Sequence, residues 1–309
     1  MKILVTGGAG YIGSVLVPQL LNDGHDVTVL DNFMYQQTSL LDVCNNPKLK
    51  ILRKDVRDRN LLKDLVAKSD AILPLACLTG APLCDREPDT ATAVARDHVT
   101  YIADLASKNQ MVLYPCTNSG YGVGEAGIFC TEETPLRPVS LYGRLKVEAE
   151  KHLLDKGFMT FRLATVFGIS PRMRLDLLVN DFTYRAVIDK FIVLFEPHFK
   201  RNYLHVRDAA RAFRHGLENY SAMKGKPYNV GLSEANLSKL ELCEVIKKHV
   251  PDFHFVVSEI GQDPDKRNYI VSNERIEKTG FKTSVGLDAG LEELIKGFQV
   301  IRRNQFANV

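Results

Sequence analysis

The chain has 309 residues, of which 45% are hydrophobic and 25% charged, a balance typical of a globular protein rather than a disordered one. The net charge is +3 without a long basic run, so neither nucleic acid nor a membrane surface is expected as a partner. No apolar stretch is long enough to span a bilayer, and the first predicted strand begins at Lys2, which leaves no room for a signal peptide. The six cysteines form no C-x-x-C pair and lie near no histidine at metal-ligand spacing, so we expect a cytoplasmic protein with reduced thiols and no metal site.

The first 31 residues predict a strand, a glycine-rich turn, a helix and a second strand that ends in an acid. Gly7, Gly10 and Gly13 follow the first strand, and glycines at this spacing let the backbone turn tightly and approach a pyrophosphate. The N-terminus of the helix offers unpaired N–H groups and the positive end of its dipole to the same anion. Asp31 stands close to the spacing expected for an acid that binds the adenosine ribose. The stretch therefore predicts a dinucleotide site.

The residues at the end of the second strand indicate which dinucleotide binds. A carboxylate at Asp31 accepts hydrogen bonds from ribose hydroxyls and repels a 2′-phosphate, and Asn32 and Phe33 supply no arginine for that phosphate. We therefore predict NAD as the cofactor, in preference to NADP.

Strands and helices alternate through the first half of the chain. Further strands are predicted at 49–52, 70–76, 111–114 and 158–163, with helices near 59–68, 91–107 and 140–156. This alternation indicates an α/β fold with a Rossmann-type, doubly wound parallel sheet. Because residues 227–231 predict a strand that returns to the sheet, we expect two domains. They are an NAD-binding domain of residues 1–168 and 208–232, and a smaller, discontinuous C-terminal substrate-binding domain of residues 169–207 and 233–309.

Tyr142 and Lys146 are four residues apart on a predicted helix, which places both side chains on one face. A lysine ammonium near a phenol favours the phenolate, lowers the pKa of the tyrosine and makes it usable as a general base near neutral pH. The alternative interpretation of this spacing is a solvated helix face. Its position after a fifth strand of a dinucleotide fold favours the catalytic interpretation.

Taken together, these motifs resemble a known family. The stretches that carry the resemblance are Thr6 to Gly13, Asp31-Asn32, Asp55-Val56, Leu75-Ala76, Thr117 to Gly122, Tyr142 to Lys146 and Arg201 to Asp208. They are similar to the extended short-chain dehydrogenases/reductases of the nucleotide-sugar epimerase/dehydratase group over nearly the whole chain. The resemblance implies NAD, a nucleotide-sugar substrate and a homodimer formed by the helices near 91–107 and 140–156. The cofactor contacts that it implies are Gly7, Gly10, Tyr11, Ile12, Gly13, Asp31, Asn32, Asp55, Val56, Leu75, Ala76, Tyr142 and Lys146.

The same resemblance makes Thr117, Tyr142 and Lys146 the catalytic residues. Thr117 would hydrogen-bond the sugar hydroxyl or ketone, Tyr142 would transfer its proton, and Lys146 would hold the nicotinamide ribose. Family members that eliminate water carry an Asp-Glu pair directly after the threonine, where this chain has Asn118 and Ser119. Because neither an amide nor a hydroxyl does acid–base work near neutral pH, we expect chemistry confined to one carbon of the sugar, C4.

Three functions stay open at this point. The stretches 116–122, 161–180 and 263–273 are similar to capsule-pathway enzymes that oxidise C4 of a GDP-linked heptose, which favours a nucleotide-sugar 4-dehydrogenase. A 4-epimerase, which oxidises C4 and then reduces it on the other face, is the alternative, although Thr165 replaces the asparagine of many 4-epimerases. A non-catalytic NAD sensor is the third, but such proteins usually lose the tyrosine or the lysine, and both are present here.

The substrate residues rest on looser matches. The resemblance implies substrate contacts from Thr117, Asn118, Ser119, Asn180, Arg201 and Arg267. Arg201 matches a diphosphate-binding arginine, whose guanidinium fork suits that anion, and Gln262 is the alternative occupant of the place given to Arg267. Arg172 and Arg174 are either exposed loop charges or contacts to sugar or phosphate.

Overall fold

A computed structural model describes residues 1–260 and 267–301, and its main feature is a seven-stranded parallel sheet. The strands are β1 (Lys2–Thr6), β2 (Asp26–Asp31), β3 (Leu49–Arg53), β4 (Ala71–Pro74), β5 (Met111–Thr117), β7 (Met159–Leu163) and β11 (Pro227–Val230), with β6 (Phe129–Cys130) lying outside the sheet. Their spatial order is β11-β7-β5-β4-β1-β2-β3, and every neighbouring pair runs parallel. The α/β, Rossmann-type sheet predicted from the sequence is therefore confirmed, including the returning strand β11.

Helices cover both faces of this sheet, because the buried strands are apolar on both sides. In β1, Leu4 packs into one apolar cluster, whereas Ile3 and Val5 pack into another on the opposite face. The helices of the first half are α1 (Gly13–Asn22), α2 (Arg59–Ala67), α3 (Ala81–Arg86), α4 (Pro88–Thr92), α5 (His98–Leu105) and α6 (Leu141–Asp155). The inner strands are thus shielded from water on both faces, as parallel sheets require, whereas the edge strand β3 keeps Lys50, Ile51 and Arg53 exposed.

The helix predicted near 91–107 is not a single α-helix. The chain forms α4, then one π-helical stretch over Ala93–Asp97, and then α5. Such π-helical turns are rare and often occur at functional sites, and no sequence periodicity predicts them. Here Thr90 and Val94 line the cleft described below.

The smaller lobe lies at the carboxyl edge of the sheet. Its strands are β8 (Thr165–Phe167), β9 (Phe191–Leu194), β10 (Lys200–His205), β12 (Asn236–Ser238), β13 (His254–Val257) and β14 (Ile270–Val271). Its helices and those that join it to the sheet are α7 (Leu178–Ile188), α8 (Val206–Glu218), α9 (Tyr220–Met223), α10 (Lys239–His249), α11 (Glu274–Glu277) and α12 (Leu287–Gly297). β8, β10 and β12 form one small sheet, β9 pairs with β13, and β6 pairs with β14. The division into the two predicted domains stays a prediction.

Sheet order determines where a ligand can bind. The chain builds β1, β2 and β3 outward to one side, and then crosses to β4, which pairs with the other edge of β1. The loops after β1 and β4 therefore diverge and leave a crevice at the carboxyl ends of the strands. Within residues 1–260 and 267–301, no helix is long and apolar enough to cross a membrane, and no group of three acidic, histidine or cysteine side chains could hold a metal ion.

Candidate active site

A cleft of about 510 Å³ opens at this crevice between the sheet and the smaller lobe. That volume lies within the range of small-molecule and cofactor sites. Every residue predicted to contact the cofactor lines this cleft: Gly7, Gly10, Tyr11, Ile12, Gly13, Asp31, Asn32, Asp55, Val56, Leu75, Ala76, Tyr142 and Lys146. Of the predicted substrate residues, Thr117, Ser119 and Arg267 line it too.

The glycine-rich turn has no room for side chains. Gly7 has a φ of +69°, and a Cβ there would lie 2.6 Å from the Cα of Ala76. A Cβ on Gly13 would lie 2.6 Å from the backbone of Gly8, so α1 packs directly on the turn. The backbone and the N-terminal end of α1 are thereby open to a ligand in the cleft, which fits the pyrophosphate of a dinucleotide.

Asp31, at the end of β2, is 7% exposed and held in one orientation. Its Oδ2 accepts a hydrogen bond from the Ala9 N–H (3.1 Å), and its Oδ1 accepts from the Phe33 N–H (2.8 Å) and from Gln37 Nε2 (3.3 Å). Burial raises the pKa of this carboxyl, and the three donors oppose that rise. A carboxylate so placed suits the two hydroxyls of an adenosine ribose.

Tyr142 and Lys146 lie in the first half of α6, whose N-terminus is capped by Ser140 through a hydrogen bond from the Gly143 N–H (3.1 Å). Both side chains line the cleft, but the Lys146 ammonium lies 4.0 Å from the centre of the Tyr114 ring. The net shift in the pKa of Tyr142 is opposite in direction to the lowering predicted from Lys146. Burial raises the pKa of the Tyr142 phenol far above its ordinary value, and the opposing positive charge is that of Arg174.

Thr117 ends β5 and begins a cluster of hydroxyl groups. Its Oγ1 donates to Ser119 Oγ (3.0 Å) and accepts from the Ser119 N–H (3.1 Å), and Arg267 Nη1 donates to the same Ser119 Oγ. The neighbouring Asn118 is 1% exposed, and its amide has no hydrogen-bond partner among the described residues. The two positions after Thr117 thus present a hydroxyl to the cleft and bury an amide.

Two further predicted substrate residues, like Asn118, lie away from the cleft lining. Asn180 is fully buried: its Nδ2 donates to the Arg174 carbonyl (2.8 Å), and its Oδ1 accepts from the Gly168 N–H (2.9 Å). Arg201 is 3% exposed, and its guanidinium lies 5.5 Å from the centre of the Tyr269 ring, which itself lines the cleft. Gln262 lies outside the described residues, as do positions 261–266 of the polar segment around it.

Arg172 and Arg174 are not exposed loop charges. Arg172 is 5% exposed, and both side chains line the cleft. Arg174 makes a two-pronged ion pair with Asp176, with 3.1 Å between Nε and Oδ1. Sequence spacing offered no signal for their burial, because the loop that carries them is irregular and folds back on the glycine-rich turn only in three dimensions.

Comparison with known proteins identifies relatives that are nucleotide-sugar epimerases and dehydratases. The family model described as "NAD dependent epimerase/dehydratase family" matches residues 3–231. A UDP-glucose 4-epimerase of Lactobacillus helveticus is 34% identical over 80% of this chain and 81% of its own. A dTDP-glucose 4,6-dehydratase of Streptomyces niveus is 28% identical over 97% of this chain and 93% of its own. The solved dTDP-glucose 4,6-dehydratase of Bacillus anthracis in complex with NAD shares the fold, with a TM-score of 0.83 and 21% identity over 99% of this chain and 98% of that one.

Proposed function

The chain belongs to the NAD-dependent epimerase/dehydratase family and uses NAD, and from this premise we propose that it oxidises C4 of a nucleotide-diphosphate sugar to a ketone. The relatives of this family include a 4-epimerase and a 4,6-dehydratase, so membership alone leaves the reaction open. The choice between these reactions depends on which acid–base groups the chain places beside the sugar.

The observation that carries the proposal is the pair of residues after Thr117. Elimination of water needs one group that protonates the leaving hydroxyl and another that removes a proton from carbon. Asn118 and Ser119 supply neither, since an amide and a hydroxyl do not titrate near neutral pH. The described cleft has carboxylates at Asp31, Asp55 and Glu87, and none of these follows the threonine. The arrangement favours a reaction confined to one carbon.

The catalytic assignment is part of this proposal. Thr117 hydrogen-bonds the C4 oxygen, Tyr142 takes the proton of the C4 hydroxyl, and Lys146 holds the nicotinamide ribose. Bound NAD would supply the hydride acceptor for the oxidation at C4, which is the cofactor's own chemistry. Burial disfavours the Tyr142 phenolate, and the positive charge of Arg174 opposes that effect in part.

The end of the cleft lined by Thr117, Ser119 and Arg267, which we call the sugar end, suits an anionic, hydroxyl-rich substrate. Arg267 and Ser119 are already hydrogen-bonded to each other there and present a cation and a hydroxyl together. The resemblance of residues 116–122 and 161–180 to GDP-manno-heptose 4-dehydrogenases makes a GDP-linked heptose the substrate that we propose, for surface polysaccharide synthesis. We propose direct substrate contacts from Thr117, Ser119 and Arg267. Asn118, Asn180 and Arg201 lie outside the cleft lining, and we propose that they position the residues that make these contacts.

The product distinguishes the candidate reactions. The purified protein is incubated with NAD and a GDP-linked manno-heptose, and the sugar is analysed by mass spectrometry. A loss of two hydrogens is expected, because the C4 alcohol becomes a ketone. A loss of water would overturn the interpretation of Asn118 and Ser119. The Tyr142→Phe variant serves as the control that should yield neither product.

A 4-epimerase is the second candidate, and the 34% identical UDP-glucose 4-epimerase favours it. An epimerase would return a sugar of unchanged mass with altered NMR couplings at C4. That outcome would reject the dehydrogenase assignment and retain the catalytic residues, since both reactions begin with the same oxidation.

We also propose a homodimer formed by the helices near 91–107 and 140–156. Val94, Tyr101, Val147 and Leu154 are partly buried on these helices, so each keeps some apolar surface that a second copy could cover. Symmetric dimers are the commonest assembly of homo-oligomeric proteins. Light scattering at micromolar concentration should give twice the mass of the 34.6 kDa chain, and the monomer mass would contradict the proposal.

A further inference from the structure

The loop of residues 168–177 is attached to the glycine-rich turn. The Tyr11 hydroxyl donates to the Gly168 carbonyl (2.6 Å), and Ser170 Oγ donates to the Tyr11 carbonyl (2.7 Å). The hydroxyl oxygens of Ser14 and Ser170 lie 2.9 Å apart. All these groups are buried, so the loop, which leads from β8 to α7 of the smaller lobe, is fixed at the turn that faces the pyrophosphate.

This attachment brings Arg172 to the end of the cleft at Asp31, where we expect the adenosine of NAD and which we call the adenosine end. Its N–H lies 3.4 Å from Ser14 Oγ, and its guanidinium carbon lies 4.4 Å from the centre of the Tyr35 ring. Tyr35 belongs to the segment after β2: its N–H donates to Gln37 Oε1 (3.2 Å), and Gln37 Nε2 donates to Asp31 Oδ1 (3.3 Å). The cleft is lined here by Arg172, Tyr35, Gln37 and Asp31. They form a cluster around the carboxylate that suits the ribose.

Arg172 brings a buried positive charge to this cluster, and its Nη1 also donates to the Met173 carbonyl. Arg172 is 5% exposed, and Arg174 lies close enough in the same loop to repel it. Burial and this like charge lower the pKa of the Arg172 guanidinium. Asp31 attracts it, but that carboxylate already accepts three hydrogen bonds. Arg174 is already paired with Asp176, so Arg172 is the cation that, beside the N-terminus of α1, forms a favourable place for phosphate oxygens.

We propose that Arg172 binds NAD at the adenosine ribose and the adjoining phosphate, so that a residue of the smaller lobe belongs to the cofactor site. A consequence concerns the choice between NAD and NADP. Asn32 and Phe33 offer no cation to a 2′-phosphate, but the fold brings one to the same place from 140 residues further along the chain. Asp31 then excludes NADP by its charge, and Arg172 is a cation that a 2′-phosphate could use once that charge is removed.

The first test measures NADH binding by fluorescence titration, without any sugar, so it succeeds or fails independently of the proposed reaction. Arg172→Gln should weaken NADH binding about tenfold, since it removes a charge-assisted contact to the cofactor. The matched control is Arg185→Gln on α7, where the arginine pairs with Asp181 outside the cleft lining. It should bind NADH as the original protein does. Equal affinity in Arg172→Gln and the control would overturn the proposal.

The second test is a double-mutant cycle with NADPH. Asp31→Ser should tighten NADPH binding at least tenfold when Arg172 is present, and hardly at all in the Asp31→Ser/Arg172→Gln double variant. An equal gain in both backgrounds would overturn the proposal, because the 2′-phosphate would then be bound without Arg172.

Since Arg172 is buried, thermal unfolding is followed for each variant. If Arg172→Gln does not fold, Arg172→Lys replaces it. That variant keeps the charge but loses the fork, so NADH should bind about threefold more weakly, and unchanged affinity would overturn the proposal.

Discussion

The two ends of the cleft are built in different ways. At the adenosine end, the glycine-rich turn and Asp31 come from one unbroken stretch of 25 residues, from Gly7 to Asp31. At the sugar end, Thr117, Tyr142 and Arg267 come from three distant parts of the chain. The turn and Asp31 are therefore specified by local sequence, whereas Arg267 and Arg172 reach the cleft only because distant parts of the chain fold back over the sheet.

This difference decides how each end tolerates change. The turn is limited by backbone contact, as the 2.6 Å approach of a Cβ on Gly13 to Gly8 shows, so its geometry cannot shift without loss of the fold around it. The sugar end is held by side-chain hydrogen bonds such as those between Thr117, Ser119 and Arg267, which other residues could replace. A family that keeps one cofactor while varying its sugar chemistry would be expected to separate the two in this way.

The largest effect is expected at Tyr142, at the sugar end. Tyr142→Phe should lower turnover about 10³-fold, because the group that moves the C4 proton is lost. NADH binding should remain within twofold of the original, since the ring and the fold remain. Steady-state kinetics and NADH titration of the same preparation measure both. Retained turnover would remove Tyr142 from the mechanism.

A smaller loss is expected at the adenosine end. Gly13→Ala inserts a methyl group against the Gly8 backbone, and overpacking of this kind costs about 1–3 kcal/mol, or roughly 5- to 150-fold in NADH affinity where the whole cost falls on binding. Gly286→Ala is the matched control, because a Cβ there meets nothing within 4 Å. NADH titration and thermal unfolding compare the two variants. Equal NADH affinity in both would show that the turn is less rigidly specified than the comparison of the two ends implies.

At the sugar end, Arg267→Gln should act on the substrate alone. Removing a charged donor beside Ser119 should raise the KM for the nucleotide sugar about tenfold, as expected for a hydrogen bond to a charged group. NADH affinity should not change. A loss of NADH binding with an unchanged KM would place Arg267 at the cofactor and break the distinction between the two ends.

The contrast also explains what the sequence could predict. Gly7, Gly13 and Asp31 were predictable because a single strand–turn–helix–strand unit fixes their spacing, and the whole parallel sheet followed from alternating apolar runs. Arg172 and Arg174 were left open because their loop has no periodicity, and only the contacts of Tyr11 and Ser14 bring it to the cleft. The influence of Lys146 on Tyr142 was predicted from helical spacing, which places two side chains on one face but does not say how strongly burial will raise the pKa of the phenol. The π-helical turn at 93–97 had no signal at all.

The smallest predicted effect concerns two buried histidines, one in each part of the molecule. Burial lowers the pKa of His98, at the start of α5, to about 4, with the Lys146 ammonium adding to the shift. Burial also lowers the pKa of His205, at the end of β10 in the smaller lobe. Between pH 6.5 and about 4 the unfolded chain therefore binds protons that the folded chain does not, so the free energy of unfolding falls as the pH falls.

Each histidine should contribute a slope of about 1 kcal/mol per pH unit in that window, and nothing above pH 7. Urea unfolding at pH 7, 6 and 5 measures the slope. His98→Gln should reduce it by about 1 kcal/mol per pH unit. An unchanged slope in His98→Gln would mean that the ring behind Lys146 is hydrated, and the region behind the catalytic helix would then be less tightly packed than the sheet that supports the glycine-rich turn.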